Sequence, residues 1–167
     1  MRSLERFVYS TDFTSGDLLW VMRNYQSLWS RVLGTPVTLC FKDGQIDFEA
    51  SPLSPSYSRI SSLKDQLRVA RIVEEGEKML SLSAVYKLDW LLDKLSVKER
   101  EALYWRLIDR SCTKVNNIRK PPSSREIAAM LSIPYSTFRD RMISGWEKLG
   151  FSWEELQDYM NEYVREY

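Results

Sequence analysis

The 167-residue chain has no histidine. That absence removes Ser-His and Cys-His nucleophile pairs, His-ligated zinc and the usual proton carrier at neutral pH. Cysteine is nearly absent too: Cys40 and Cys112 stand far apart, a spacing that fits neither a disulfide framework nor a paired zinc knuckle. A reducing compartment, no metal, no cofactor and no enzymatic activity are therefore expected. No run approaches the eighteen or so uninterrupted apolar residues of a membrane span, and MRSLERFVYSTDF lacks the apolar core of a signal peptide. A soluble protein of the cytoplasm, without a membrane partner, follows from that reading. Nor is there a charge excess, since 24 Lys and Arg against 23 Asp and Glu leave +1. A nucleic-acid signal must come from local clustering.

What the chain does have is apolar material, 44% hydrophobic and 13% aromatic, enough to bury a core. From Asp17 to Leu33, Leu18, Val21, Met22, Tyr25, Leu28, Trp29 and Val32 recur at spacings of three and four, which predicts one amphipathic helix ended by Gly34 and Pro36. Val37, Leu39 and Phe41, then Ile46 and Phe48, alternate around Asp43-Gly44 and predict a β-hairpin. SPLSPSYS reads as a loop, with a boundary near Ser51–Arg59. Helical periodicity returns from Ile60 (Leu63, Leu67, Ala70, Val73), weakens near Gly76 and resumes through Val85, Leu88, Leu91, Leu92 and Leu95; Ser81-Leu82-Ser83 is a candidate break. Ser96 and Glu99 form a capping-box pattern ahead of Ala102, Leu103, Leu107 and Ile108. The stretch from Ser111 to Pro122 loses periodicity and gains Lys114, Arg119 and Lys120, which reads as a basic loop.

The informative segment is SSREIAAMLSIPYSTFRDRMISGWEKLG, residues 123–150. Ile127, Leu131, Ile133, Phe138 and Met142 are the apolar positions needed by two short helices crossing over a tight turn. Ala128 supplies the small residue for a close crossing, and Pro134 falls where the second helix begins and a missing N–H costs nothing. On the second helix Tyr135, Ser136, Arg139, Asp140 and Ser144 are expected to face away from Phe138 and Met142. The first four are the candidate base-reading residues, because Arg binds guanine bidentately and Asp, Ser and Tyr add edge contacts in a groove wide enough for a helix. Ser123, Ser124, Arg125 and Thr137 lie near helix starts, where hydroxyls and free N–H groups meet phosphates. With Lys114, Arg119, Lys120, Arg141 and Lys148 they complete the candidate phosphate contacts. Residues 110–148 hold eight basic and three acidic side chains, a local charge of +5.

LSVKEREALYWRLID followed by SREIAAMLSIPYSTFRDRM resembles the last domain of sigma factors, whose helix-turn-helix reads the promoter element near minus 35. EREALYW with TFRDRMISGWEKLG also resembles phage late-gene transcription regulators of the ArpU and RinA type and the sigma-like Q antiterminators. The resemblance covers about Leu88–Gly150. It implies a phage protein in the bacterial cytoplasm that binds double-stranded DNA near a late promoter and acts on bacterial RNA polymerase, with or without its sigma factor. A Q-like factor would travel with polymerase and suppress termination; an ArpU- or RinA-like activator would only recruit it. The chain lacks the CxxC zinc module of the lambda-type Q proteins, and its N-terminal helix and hairpin match neither group. A separate N-terminal module favours antitermination over simple activation, and a small-terminase-like DNA-packaging protein is the further alternative.

The expected architecture is thus mainly α: an N-terminal helix-plus-hairpin subdomain (1–58), a helical domain (59–150) containing the helix-turn-helix (123–150), and a C-terminal helix (151–167). That last helix begins with the capping pair Ser152 and Glu155 and aligns Trp153, Leu156, Tyr159, Met160, Tyr163 and Val164 against an acidic outer face. Core packing is the expected role of these aromatics and of Trp20, Tyr25 and Trp29, with a homo-oligomer or polymerase contact as the alternative.

Overall fold

The computed structural model describes residues 2–50, 68–109, 113–115, 118–120 and 122–165. It is mainly helical, with a small antiparallel hairpin near the N-terminus. The contact pattern divides the chain into two units, Met1–Cys40 with Asp47–Leu88, and Phe41–Ile46 with Asp89–Tyr167. The expected boundary at Ser51–Arg59, along with Leu63 and Leu67, lies outside the described residues.

In the first unit, helix α1 (Ser3–Tyr9) buries Leu4 and Phe7. The single helix expected over 17–33 is two, α2 (Ser15–Arg23) and α3 (Tyr25–Leu33). Asn24 makes the break: its backbone leaves helical geometry at φ −104°, ψ 8°, and its side-chain amide donates to the Trp20 carbonyl at 2.7 Å. Asn competes in this way for helical carbonyls. The apolar periodicity runs unbroken through both helices, so it carried no sign of the break. α2 starts on a capping box in which the Thr14 hydroxyl accepts from Asp17 N–H (3.2 Å) and the Asp17 carboxylate accepts from Thr14 N–H (3.1 Å). Asp17 is fully buried and also receives the Arg6 guanidinium at 3.0 Å, so one cap residue locks α1 to α2.

Gly34 ends α3 in the left-handed region at φ 70°, and the predicted hairpin follows as β1 (Val37–Lys42) and β2 (Gln45–Ala50). Its two-residue turn places Asp43 at φ 55° and Gly44 at φ 77°, the paired left-handed conformations that Asp-Gly supplies at least cost. Within the first unit Trp29 and Phe48 lie 4.7 Å apart, and Gln26 donates to the Val37 carbonyl at 2.6 Å. The long helix α4 (Arg68–Leu92) continues through both Gly76 and Ser81-Leu82-Ser83, where a break was a candidate. Ser81 is buried within a face that also contains Leu80, Ala84, Val85 and Leu88, so burial of the surrounding residues outweighs the weak local propensity. Lys87 on α4 caps the end of α1: its ammonium donates to the carbonyls of Phe7 (2.5 Å) and Ser10 (3.2 Å).

In the second unit the Ser96–Glu99 capping box forms as predicted and opens helix α5 (Val97–Leu103). The helix widens into a π-turn at Tyr104–Ile108, closed by Asp109 N–H on the Tyr104 carbonyl and by the Tyr104 hydroxyl on the Asp109 carboxylate, 2.7 Å. The expected basic loop contains instead an antiparallel pair, β3 (Thr113–Val115) and β4 (Ile118–Lys120), with Lys114 opposite Arg119 and Lys120 opposite Thr113. Helices α6 (Ser124–Met130), α7 (Tyr135–Lys148) and α8 (Trp153–Arg165) complete the unit. The core is Ala102, Leu103, Tyr104, Leu107, Ile108, Ile127, Ala128, Phe138, Met142, Trp146 and Leu156, all nearly inaccessible to solvent.

Arg100 joins three parts of this unit. The residue is only 8% exposed, and its guanidinium donates to the carbonyls of Leu92 at the end of α4 (3.1 Å), Leu95 in the following turn (3.1 Å) and Gly44 in the hairpin turn. Charged donors to backbone carbonyls are worth about 1.5–3 kcal/mol each, and removing the donor strands buried acceptors. Arg100→Met should lower stability by about 3–5 kcal/mol, read from the urea unfolding midpoint. A loss below about 1 kcal/mol would mean that water replaces the guanidinium at all three carbonyls.

Candidate nucleic-acid interface

The turn between α6 and α7 is closed by two backbone hydrogen bonds. Ser132 N–H donates to the Ala129 carbonyl (3.1 Å) and Ile133 N–H reaches back to the Ala128 carbonyl (3.0 Å), the paired pattern that closes a helix with a left-handed residue. Ser132 is that residue, at φ 58°, in a position glycine usually takes. Ala128 and Ile133 are thus the two ends of the closing hydrogen bond. Pro134 then sits immediately before α7 in extended backbone, at φ −61° and ψ 147°. Ile127, Ala128, Phe138 and Met142 are buried; Leu131 and Ile133 are half-buried. Gly150 ends the segment at φ 97°.

The direction in which α7 faces is decided by α5. Gly145 lies so close to it that an added Cβ would meet Leu103 Cδ1 at 3.1 Å, Glu99 Cβ at 3.3 Å and the Glu99 carbonyl at 3.5 Å. The residues that flank that contact on α7 belong to Glu99: the hydroxyl of Ser144, next to Gly145, donates to its carboxylate, and Nζ of Lys148, three residues on, lies 2.8 Å from Oε1. Ser144 was expected on the outward face, and Lys148 among the phosphate contacts. The structure turns Ser144 toward α5 and places Lys148 in an ion pair with Glu99.

The remaining candidates divide by partner. Ser123 caps α6, accepting Glu126 N–H at 3.2 Å, and the Ser124 hydroxyl accepts from Arg106 Nε at 3.0 Å. Both hydroxyls therefore have partners within the protein. Ser136, Arg139 and Asp140 are exposed, Tyr135, Thr137 and Arg141 half-buried. Four-residue spacing puts Ser136 and Asp140 on one ridge, opposite Phe138 and Met142. Arg125 lies over the Tyr135 ring at 4.2 Å and Arg139 over the Trp153 ring at 5.5 Å. Neither guanidinium has an ion pair or hydrogen bond among the described residues, so their N–H edges are unoccupied. The backbone of Lys114, Arg119 and Lys120 is placed in β3 and β4; their side chains lie outside the described residues.

Two contributors were missed in the sequence. Glu99 was read as a cap alone, though its burial turns it into the anchor of α7. Trp153 was read as core, though its ring lies beneath Arg139. Among the described residues no cluster of His, Cys, Asp and Glu could hold a metal, and no helix is long and apolar enough to cross a membrane. No protein-family model, no curated protein and no solved structure matches the chain.

Burial by itself would raise the Glu99 pKa, but the hydrogen bonds from Lys148, Ser144 and Ser96 outweigh it and bring the carboxyl from 4.5 to about 2. A depressed folded-state pKa contributes stability that is fully present above the unfolded value and lost as pH falls through the folded one. For Glu99 that window runs from about 4.5 down to about 2. Glu99→Gln should cost on the order of 2 kcal/mol at neutral pH and converge on the parent protein near the bottom of the window, in urea midpoints taken across it. Lys148→Met should cost less, about 1 kcal/mol, because the lysine side chain is 54% exposed and screened. A constant Glu99→Gln deficit across the window would assign the contact to packing rather than charge.

Proposed function

We propose that the chain is a sequence-specific DNA-binding regulator of phage late transcription, acting on bacterial RNA polymerase in the host cytoplasm as a Q-like antitermination factor. In this reading α6 and α7 are a sigma-like helix-turn-helix, α7 enters the major groove, and the protein is not an enzyme. The observation that carries it is the outward face of α7: Ser136, Arg139 and Asp140 are exposed, and the Arg139 guanidinium and that of Arg125 on α6 have N–H edges unoccupied among the described residues. Arg139 is suited to guanine O6 and N7, and Asp140 to the amino group of cytosine. Arg125, Thr137 and Arg141 flank that face as backbone contacts. The resemblance of residues 88–150 to sigma-type and late-gene regulators supplies the connection to polymerase. An ArpU- or RinA-like activator shares the same DNA chemistry and differs only in the step it alters.

The test begins with selection of bound duplexes from a pool with a randomised 20-bp centre. Recovered sites are then placed upstream of a promoter and terminator and transcribed with and without the protein. Site-dependent readthrough supports antitermination; raised initiation with unchanged readthrough makes the protein an activator; a pool retained without sequence preference removes the specific-reader role. Arg139→Ala should weaken the selected site by about 1–3 kcal/mol while leaving unrelated duplex unchanged, by titration at fixed salt. Neutralising Arg119 and Lys120 together should instead weaken all duplexes equally and flatten the dependence of log affinity on log salt by about 0.9 per contact. An unchanged salt slope takes the β3–β4 pair off the DNA.

A further inference from the structure

The reading face of α7 depends on a residue beyond α7. Trp153 opens α8, and its ring lies 5.5 Å from the Arg139 guanidinium carbon. Its own place is fixed from the core: the Trp146 indole N–H donates to the Ser152 carbonyl at 2.8 Å, the Trp146 and Phe151 rings lie 5.5 Å apart and tilted by 35°, and Leu156, one turn into α8, is fully buried. Trp146 belongs to α7 itself, so the helix that carries Arg139 also positions the ring beneath it. Trp153 Nε1 is buried with no hydrogen-bond partner among the described residues. An unpaired indole N–H is unfavourable, and phenylalanine would fill much of the same space without it. The indole's larger π-face is what it offers a cation over phenylalanine.

We infer that Trp153 is a positioning residue for Arg139, restraining the guanidinium over its ring so that the N–H edge is presented to a guanine before DNA arrives. This rests on the DNA-binding reading above. A guanidinium held over a ring by cation–π attraction consumes none of its N–H donors, so that contact and a bidentate base contact are compatible in the same side chain. An unrestrained arginine on an exposed helix must lose rotamer freedom on binding, and the ring removes part of that loss beforehand. Base discrimination at the Arg139 position, rather than general affinity, is therefore what Trp153 controls.

The experiment compares the full-length parent protein with Trp153→Leu, Trp153→Phe and Arg139→Ala in selection from the same randomised duplex pool, alongside titration of poly(dI-dC). Trp153→Leu should flatten preference about threefold to tenfold at the base pairs that Arg139→Ala also flattens. Trp153→Phe should keep most of that preference, and poly(dI-dC) affinity should be unchanged in both. In the free parent protein the Arg139 δ-methylene protons should be shifted upfield by the indole ring current. Unaltered preference in Trp153→Leu overturns the inference, as does an equal loss on all DNA. Should Trp153→Leu fail to fold, an unshifted Arg139 methylene in the parent overturns it independently. A parent protein that retains duplex without sequence preference overturns the specific-reader role and this inference together. Retained preference with an unaffected Trp153→Leu profile overturns this inference alone.

Discussion

A single buried carboxylate governs the second unit. Glu99 begins as a local device, the third residue of α5 satisfying an N–H that no helical carbonyl can reach. It then receives the hydroxyl of Ser144 and the ammonium of Lys148 from α7. Because both donors sit on the same flank, one turn apart, they fix the rotation of α7 about its own axis as well as its distance from α5. Gly145 between them permits the approach. A buried carboxylate that lost these donors would carry its desolvation cost uncompensated, so the arrangement is specific as well as stabilising.

That rotation sorts the cations of the unit. On the flank facing α5, Lys148 is occupied, and Arg106 from the π-turn is occupied at the start of α6. On the other flank Arg139 lies on Trp153, and on α6 Arg125 lies on Tyr135. Aromatic support differs from an ion pair in that it orders the guanidinium without consuming its hydrogen-bond donors. The unit therefore contains structural cations and available cations whose residue types do not distinguish them.

The first unit uses the same chemistry. Asp17 caps α2 and binds Arg6 of α1, just as Glu99 caps α5 and binds Lys148 of α7. Burial alone would raise the Asp17 pKa, and the Thr14 N–H and Arg6 guanidinium together hold it below the usual carboxylate range. In both cases a residue placed by local helix-start chemistry becomes a contact between helices. Lys87, bound to the carbonyls that end α1 and lying 4.7 Å from the Phe13 ring, does the complementary work at a helix C-terminus.

By itself the sequence determined what short-range physics controls. The Asp43-Gly44 turn, the Ser96–Glu99 box, the stop at Gly34 and the Ala128–Ile133 spacing each follow from a few adjacent residues and a preferred backbone geometry. The two-helix segment near residues 123–150 was legible for that reason. Breaks and continuations of helices were not: Asn24 interrupts an apolar stripe that stays in phase, while Gly76 and Ser81 sit inside a helix supported by its buried face. The β3–β4 pair was masked by its charge, although Asn116-Asn117 between Val115 and Ile118 is a turn signal. Tertiary structure alone decided which flank of α7 is open, that Ser144 and Lys148 turn inward, and that Trp153 lies under Arg139. Those outcomes depend on which residues distant in sequence share a buried volume, and periodicity within one helix specifies a face without specifying what will cover it.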